Sequence, residues 1–124
     1  MARVLVLDVV KDEVREANCH NLSDFYRELN ADTLDIARRG IGGWMFDIFV
    51  DDEGLLKADP VVSAVDGDLN PMLVGNLVFA NHDGHGNTVD LTDEDIEHIK
   101  SYIYIACTEA KPDGYKILTN CEYF

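Results

Sequence analysis

The sequence predicts an α+β domain, mainly antiparallel sheet with two helices at about 22–29 and 93–106. Three observations carry that expectation. Trp44–Val50 alternates strictly between two faces and follows a Gly42-Gly43 pair, the pattern of a strand leaving a tight hairpin. Leu22, Phe25, Tyr26 and Leu29 fall at i, i+3, i+4 and i+7, a helical stripe. Thr92-Asp93-Glu94-Asp95 has the spacing of a capping box, with aspartate replacing the usual glutamate.

The elements follow in order. Arg3–Val10 is apolar on both alternations, as a strand covered on both faces would be. Lys11 and Asp12 suit a turn, and Glu13–Ala17 a more polar returning strand. Asn21 is placed to cap the first helix. Thr33–Arg38 alternates and reads as a strand pairing with Trp44–Val50. On that hairpin Trp44, Phe46, Ile48 and Val50 share one face, and Met45, Asp47 and Phe49 the other. Asp51–Gly54 is a second turn, returning to Leu55-Leu56, and Pro60 holds Asp59 extended. Val61–Val65 is a short strand or a helical turn, Asp66–Pro71 a loop, Met72–Ala80 one strand, and Asn81–Asn87 a polar, glycine-rich excursion. The second helix would bury Ile96, Ile99, Ile103 and Ala106. Lys111-Pro112-Asp113-Gly114 is a turn signal, and Tyr115–Thr119 a final strand. The expectation is one domain over 1–124, with 108–124 a C-terminal extension.

Composition bounds the function. The chain has 124 residues, 24 acidic and 10 basic, for a net charge of −14. Its hydrophobic fraction of 47% suffices for a globular core, and no apolar run approaches the ~20 residues of a membrane helix. No secretory signal is read in the opening residues. Three cysteines (Cys19, Cys107, Cys121) without metal-type spacing suit a reducing, cytoplasmic setting. The charge disfavours direct binding to nucleic acids or anionic membranes. Residues 51–97 hold twelve acids and only Lys57 as a base, so a surface built to meet a basic protein is the expectation. Its acids are Asp51, Asp52, Glu53, Asp66, Asp68, Asp83, Asp90, Asp93, Glu94 and Glu97.

Three strings are distinctive together: IGGWMFDIFVDDEGLLK from Ile41, NPMLVGNLVF from Asn70 and LTDEDIEHI from Leu91. With them the chain resembles a family of small domains of unknown function, numbered three-eight-four-six, most specifically over residues 41–97. Residues 108–124 lie outside the resemblance. The resemblance implies an accessory protein of phages, plasmids or integrative elements, working in the cytoplasm. The family has no established catalytic residues, so none is carried over.

Candidate chemistry is sparse. Gly40-Ile41-Gly42-Gly43 lacks the third glycine of a dinucleotide fingerprint, because position 45 is Met45, and a strand follows it. Asp66, Asp68 and Asn70 have the spacing that opens a calcium loop, but Pro71 and Leu77 replace the required glycine and glutamate. Asp83, Asn87, Asp90 and Glu94 likewise lack a central glycine at Thr88 and suit turns and caps. His82 and His85, with Asp83 and Asp90, are weak metal candidates and would underlie the alternative function, a small metal-dependent hydrolase. His20 adjoins Cys19, but chain neighbours point apart. His98 is expected to face solvent. Asp47, mid-strand among apolar residues, is expected to cap a backbone amide or to pair with Arg38 or Arg39 across the hairpin rather than to act as a general acid. The leading expectation is a non-enzymatic acidic interaction module, without a cofactor, that occupies the basic, nucleic-acid-binding surface of a partner. A homo-oligomer pairing through Tyr115–Thr119 is a third reading.

Overall fold

The computed structural model describes residues 2–54, 61–108 and 111–123, with the backbone alone over 105–108 and 111–116. The elements run β1 (Ala2–Asp8), β2 (Glu13–Cys19), α1 (Leu22–Leu29), β3 (Asp35–Ile41), β4 (Trp44–Val50), β5 (Val62–Val65), β6 (Pro71–Val74), β7 (Leu77–His82), β8 (Thr88–Val89), α2 (Asp93–Ser101), β9 (Ile103–Thr108) and β10 (Lys111–Asn120). The fold is α+β, with two helices and mainly antiparallel sheets.

The first sheet has the order β2-β1-β7-β4-β3, with β8 added to the end of β7. The double-sided apolar pattern of β1 explains its inner place. Val4 and Val6 face one way, packed with Phe25 and Leu29 of α1 and with Phe49 and Val78. Leu5 and Leu7 face the other, with Phe46, Ile48, Phe79 and Ile96 and Ile99 of α2. The second sheet, β6-β5-β10-β9, adds Ala64, Ile117 and Cys121 to that second face. Helix α1, the first sheet, and the second sheet with α2 therefore form successive layers.

Local signals explain most boundaries. The β1–β2 turn closes because the Asp8 carboxylate accepts the amides of Val10 and Lys11, both at 2.9 Å. Asn21 caps α1 by accepting the Asp24 amide at 3.2 Å, and Asn30 ends it with φ +53°. Of the predicted stripe, Phe25 and Leu29 are buried while Leu22 is exposed. The β3–β4 hairpin pairs in full register from Asp35↔Val50 to Ile41↔Trp44. Gly42 and Gly43, at φ +56° and +85°, make a turn with both central residues left-handed, which glycine adopts cheaply. Thr92 and Asp95 form the capping box in full.

The structure corrects three expectations and decides a fourth between its two alternatives. Met72–Ala80 is two strands, because Gly75 takes φ +77° and sends β6 to the second sheet and β7 to the first. The second helix stops at Ser101, short of 106; the β-branched and aromatic residues from Ile103 onward form β9 instead, as their strand preference favours. Lys111–Gly114 lies within β10, where the register shifts between Lys111 and Lys116. Val62–Val65 is a strand, paired in parallel with β10 at Ala64↔Thr119 and Val65↔Asn120. Leu55-Leu56, Lys57, Asp59 and Pro60 lie outside the described residues. After β10, the Cys121 amide donates to the Val65 carbonyl at 2.9 Å, and Gly40 and Glu122 exchange backbone hydrogen bonds of 2.9 and 2.7 Å. That exchange ties the chain's end to the edge of β3.

Candidate functional site

Several carboxylates of the acidic segment are held at turns by neutral backbone amides. Asp66 accepts the amides of Asp68 and Asn70, both at 2.9 Å, and the Asn70 side-chain amide at 3.2 Å. Asp83 accepts the amides of His85 at 2.8 Å and Asn87 at 3.0 Å. These bonds, led by those from Asn70 and Asn87, hold both carboxyls below their ordinary range, because a carboxylate gains more from N–H donors than a carboxylic acid does. Asp51 accepts the Glu53 amide at 2.9 Å, and Asp90 the Arg3 amide at 2.7 Å. Asp93, by contrast, is ion-paired with Arg3 at 2.7 Å. An amide partner fixes a carboxylate in place and leaves its full charge uncancelled; an arginine cancels it.

The fold distributes these acids instead of gathering all ten. Strand β7 runs antiparallel to both β1 and β4, so the starts of β1 and β4 share an end of the sheet with His82. At that end lie Asp83 in the β7–β8 hairpin, Asp90 and Asp93 against Arg3, and the first turn of α2 with Glu94. Glu97 follows one turn later. Asp51, Asp52 and Glu53 follow Val50 at the opposite end, and Asp66 and Asp68 occupy the β5–β6 turn of the second sheet.

The histidine–aspartate candidates do not assemble into a ligand set. His82 Nδ1 is 2.6 Å from Asp47 Oδ2, whereas Asp83 and Asp90 serve backbone amides. No group of three or more His, Cys, Asp or Glu side chains among the described residues is arranged to hold a metal ion. Asp47 pairs with Arg38, as expected, at 2.8 Å. Arg39 turns elsewhere, donating to the Arg38 carbonyl at 3.0 Å and lying over the Tyr123 ring. The link from Asp47 to His82 escaped sequence reading, because β4 and β7 become neighbours only through the fold.

His98 is also corrected. It does not face solvent; its Nε2 lies 2.7 Å from the Ile41 carbonyl. A carbonyl only accepts, so Nε2 carries the proton. The imidazole stacks on Trp44 with centroids 3.8 Å apart and planes 8° apart, and Tyr102 stands 5.2 Å away. Tyr102 in turn covers the hairpin tip: a Cβ added at Gly42 would lie 2.4 Å from its ring. Trp44 remains 41% exposed and Tyr102 38%. A rigid aromatic cluster therefore stands at the same end of the sheet as Asp83, Asp90, Asp93 and Glu94.

Residues 1–103 match the family model described as Domain of unknown function (DUF3846). The chain belongs to the DUF3846 family. No curated protein and no solved structure matches it. The DUF3846 match includes the β3–β4 hairpin, the acidic turns and all of α2, while β10 lies beyond it.

Burial pushes the thiol of Cys19 up to about 11 and that of Cys121 up to about 12, so both are protonated near neutrality and poor nucleophiles. His20 engages Asp24 through its backbone amide at 2.7 Å. A cleft of about 320 Å³ beside Asp8, Lys11 and Asn76 contains Arg15, which already holds Asp8, Glu13 and Glu28 at 2.8, 2.8 and 2.6 Å. Among the described residues no helix is long and apolar enough to cross a membrane.

Proposed function

We propose that this DUF3846 protein is a non-enzymatic interaction module that presents fixed, ionised carboxylates to a basic partner protein. One observation carries the reading: Asp66 and Asp83 are held below the ordinary carboxylate range by backbone amides that leave their charge uncancelled. Such groups keep their charge and position without a cation from their own chain. Duplex DNA carries one charge per ~1.7 Å of axis, so a surface evolved for DNA is one that fixed carboxylates can occupy. The resemblance-based setting, a phage, plasmid or integrative element in the cytoplasm, suits a decoy or anti-defence role against a nucleic-acid-binding protein.

The test is capture from host extract on the immobilised protein at about 50 and about 500 mM salt, where screening differs several-fold. A basic protein retained at low salt, released at high salt and lost from an Asp83→Asn/Glu94→Gln/Glu97→Gln variant is the expected result. Absence of any partner whose retention falls with salt would overturn the reading.

A further inference from the structure

We infer that the Trp44–His98–Tyr102 cluster is the anchor point of that surface and receives an arginine side chain from the partner. The inference rests on the acidic-module reading and adds the residue class recognised and the place where it binds.

The geometry begins with the indole. One face of Trp44 is covered by the His98 ring at 3.8 Å and 8°, yet 41% of the residue stays exposed. Three contacts fix it: the left-handed Gly42-Gly43 turn, the His98 Nε2–H bond to Ile41, and Tyr102 packed over Gly42. A rigid, half-exposed tryptophan beside a half-exposed tyrosine is the composition of binding hot spots, because little ordering entropy is lost when they are covered.

Charge identifies the occupant. Glu94, His98 and Tyr102 are spaced by four along α2 and its cap, so they share one helix face. Glu94 and Glu97 are exposed, and neither is in an ion pair among the described residues. Glu94 stands one helical turn before His98, which stacks on Trp44, and negative charge near a partly exposed aromatic ring favours a cation there. The flat guanidinium suits this site better than an ammonium, since it stacks on a ring and offers forked N–H donors to a carboxylate at its rim.

The chain contains a single tryptophan, so its fluorescence reports on this site directly. The probes are two dye-labelled hexapeptides, alternating arginine–glycine and lysine–glycine, titrated at low salt. Anisotropy reports binding and Trp44 emission reports contact. The expected result is about three- to tenfold tighter binding of the arginine peptide, with an emission change at the same midpoint. Trp44→Leu and Tyr102→Leu should abolish the arginine preference while leaving lysine-peptide binding in place. Trp44→Phe, which keeps a ring in the hairpin, should retain part of it. Equal affinities, unchanged emission and indifference to Trp44→Leu would overturn the anchor. If that binding still weakened with salt and in the Glu94→Gln/Glu97→Gln variant, the acidic-module reading would survive. Binding of neither peptide also overturns the anchor, leaving the module to its own capture test. A dimeric protein whose Trp44 is already shielded from acrylamide would place a second copy on the patch and overturn the anchor too.

Discussion

Asp47 and His82, 35 residues apart in the chain, meet at 2.6 Å between Oδ2 and Nδ1 on adjacent strands of the first sheet. Asp47 stands opposite Ala80 in register, and His82 follows two positions later on the same face, a diagonal neighbour within reach. The other oxygen holds Arg38 at 2.8 Å, directly opposite on β3. Because a carboxylate only accepts, the short contact places the proton on His82 Nδ1. The Arg38 N–H at 3.2 Å from that nitrogen is then a neighbour and not a donor to it. One buried aspartate thus links three strands.

Asp47→Asn keeps the volume and removes the charge that both partners use. It should lower unfolding stability by about 1–3 kcal/mol, read from urea denaturation. Asp47 and His82 should also be coupled in a double-mutant cycle. A variant within about 0.3 kcal/mol of the parent would refute this structural role.

The two hairpin glycines should respond differently to alanine. Both have positive φ, which costs a non-glycine residue about 1–2 kcal/mol. At Gly43 nothing lies within 4 Å of the added Cβ, but at Gly42 it would meet the Tyr102 ring at 2.4 Å. Gly42→Ala should therefore destabilise more than Gly43→Ala, by at least about 1 kcal/mol. Adding Tyr102→Ala should recover the steric part. Equal melting temperatures for the two single variants would contradict the packing of Tyr102 on the tip.

Acid should weaken the fold partly through Asp8. Burial alone would push its carboxyl up, but the Lys11 amide, the Arg15 guanidinium and the Val10 amide outweigh it and hold the group below its ordinary 3.8. The native value lies below the unfolded one, so the stabilisation is complete above about pH 4 and is lost as pH falls through the native value. Asp8→Asn should be less stable at pH 7 and should show a shallower further loss below pH 4. Parallel stability curves for the two proteins from pH 7 to 2 would count against it.

The buried thiols act at the other end of the scale. Both are raised from an ordinary 9.0, Cys19 to about 11 and Cys121 to about 12. Above pH 9 the unfolded chain releases these protons while the native chain retains them, so stability should fall from pH 9 until the native values are passed. In a Cys107→Ser background, a thiol reagent at pH 8 should react slowly with the native protein and rapidly after denaturant is added. Fast native reaction would contradict the burial.

Local chemistry made much of this fold readable. The β1 and β4 strands, α1 with its Asn21 cap, the Gly42-Gly43 turn and the Thr92 box each depend on residues within a few positions of one another. The failures share a different cause. Gly75 interrupts an apolar run whose halves join different sheets, and Ile103 continues the helical period of Ile96 and Ile99 while pairing with a strand further along. The site divides similarly. Arg38 with Asp47 follows from hairpin register alone. His82 beneath Asp47, and His98 beneath Trp44, depend on which distant elements the core brings together.

The parallel pairing of β5 with β10 has a consequence for the order in which the molecule is completed. Ala64 and Thr119 are about 55 positions apart, and closing so long a segment carries an entropic cost that local hairpins avoid. The first sheet has all its strands once β8 ends at Val89. The β5–β6 pair, by contrast, is a two-stranded ribbon of the kind that is marginal alone until β10 slides between β5 and β9. Before that moment two strand edges stand open to any passing chain. Strand β10, between β5 and β9, is the one that closes both.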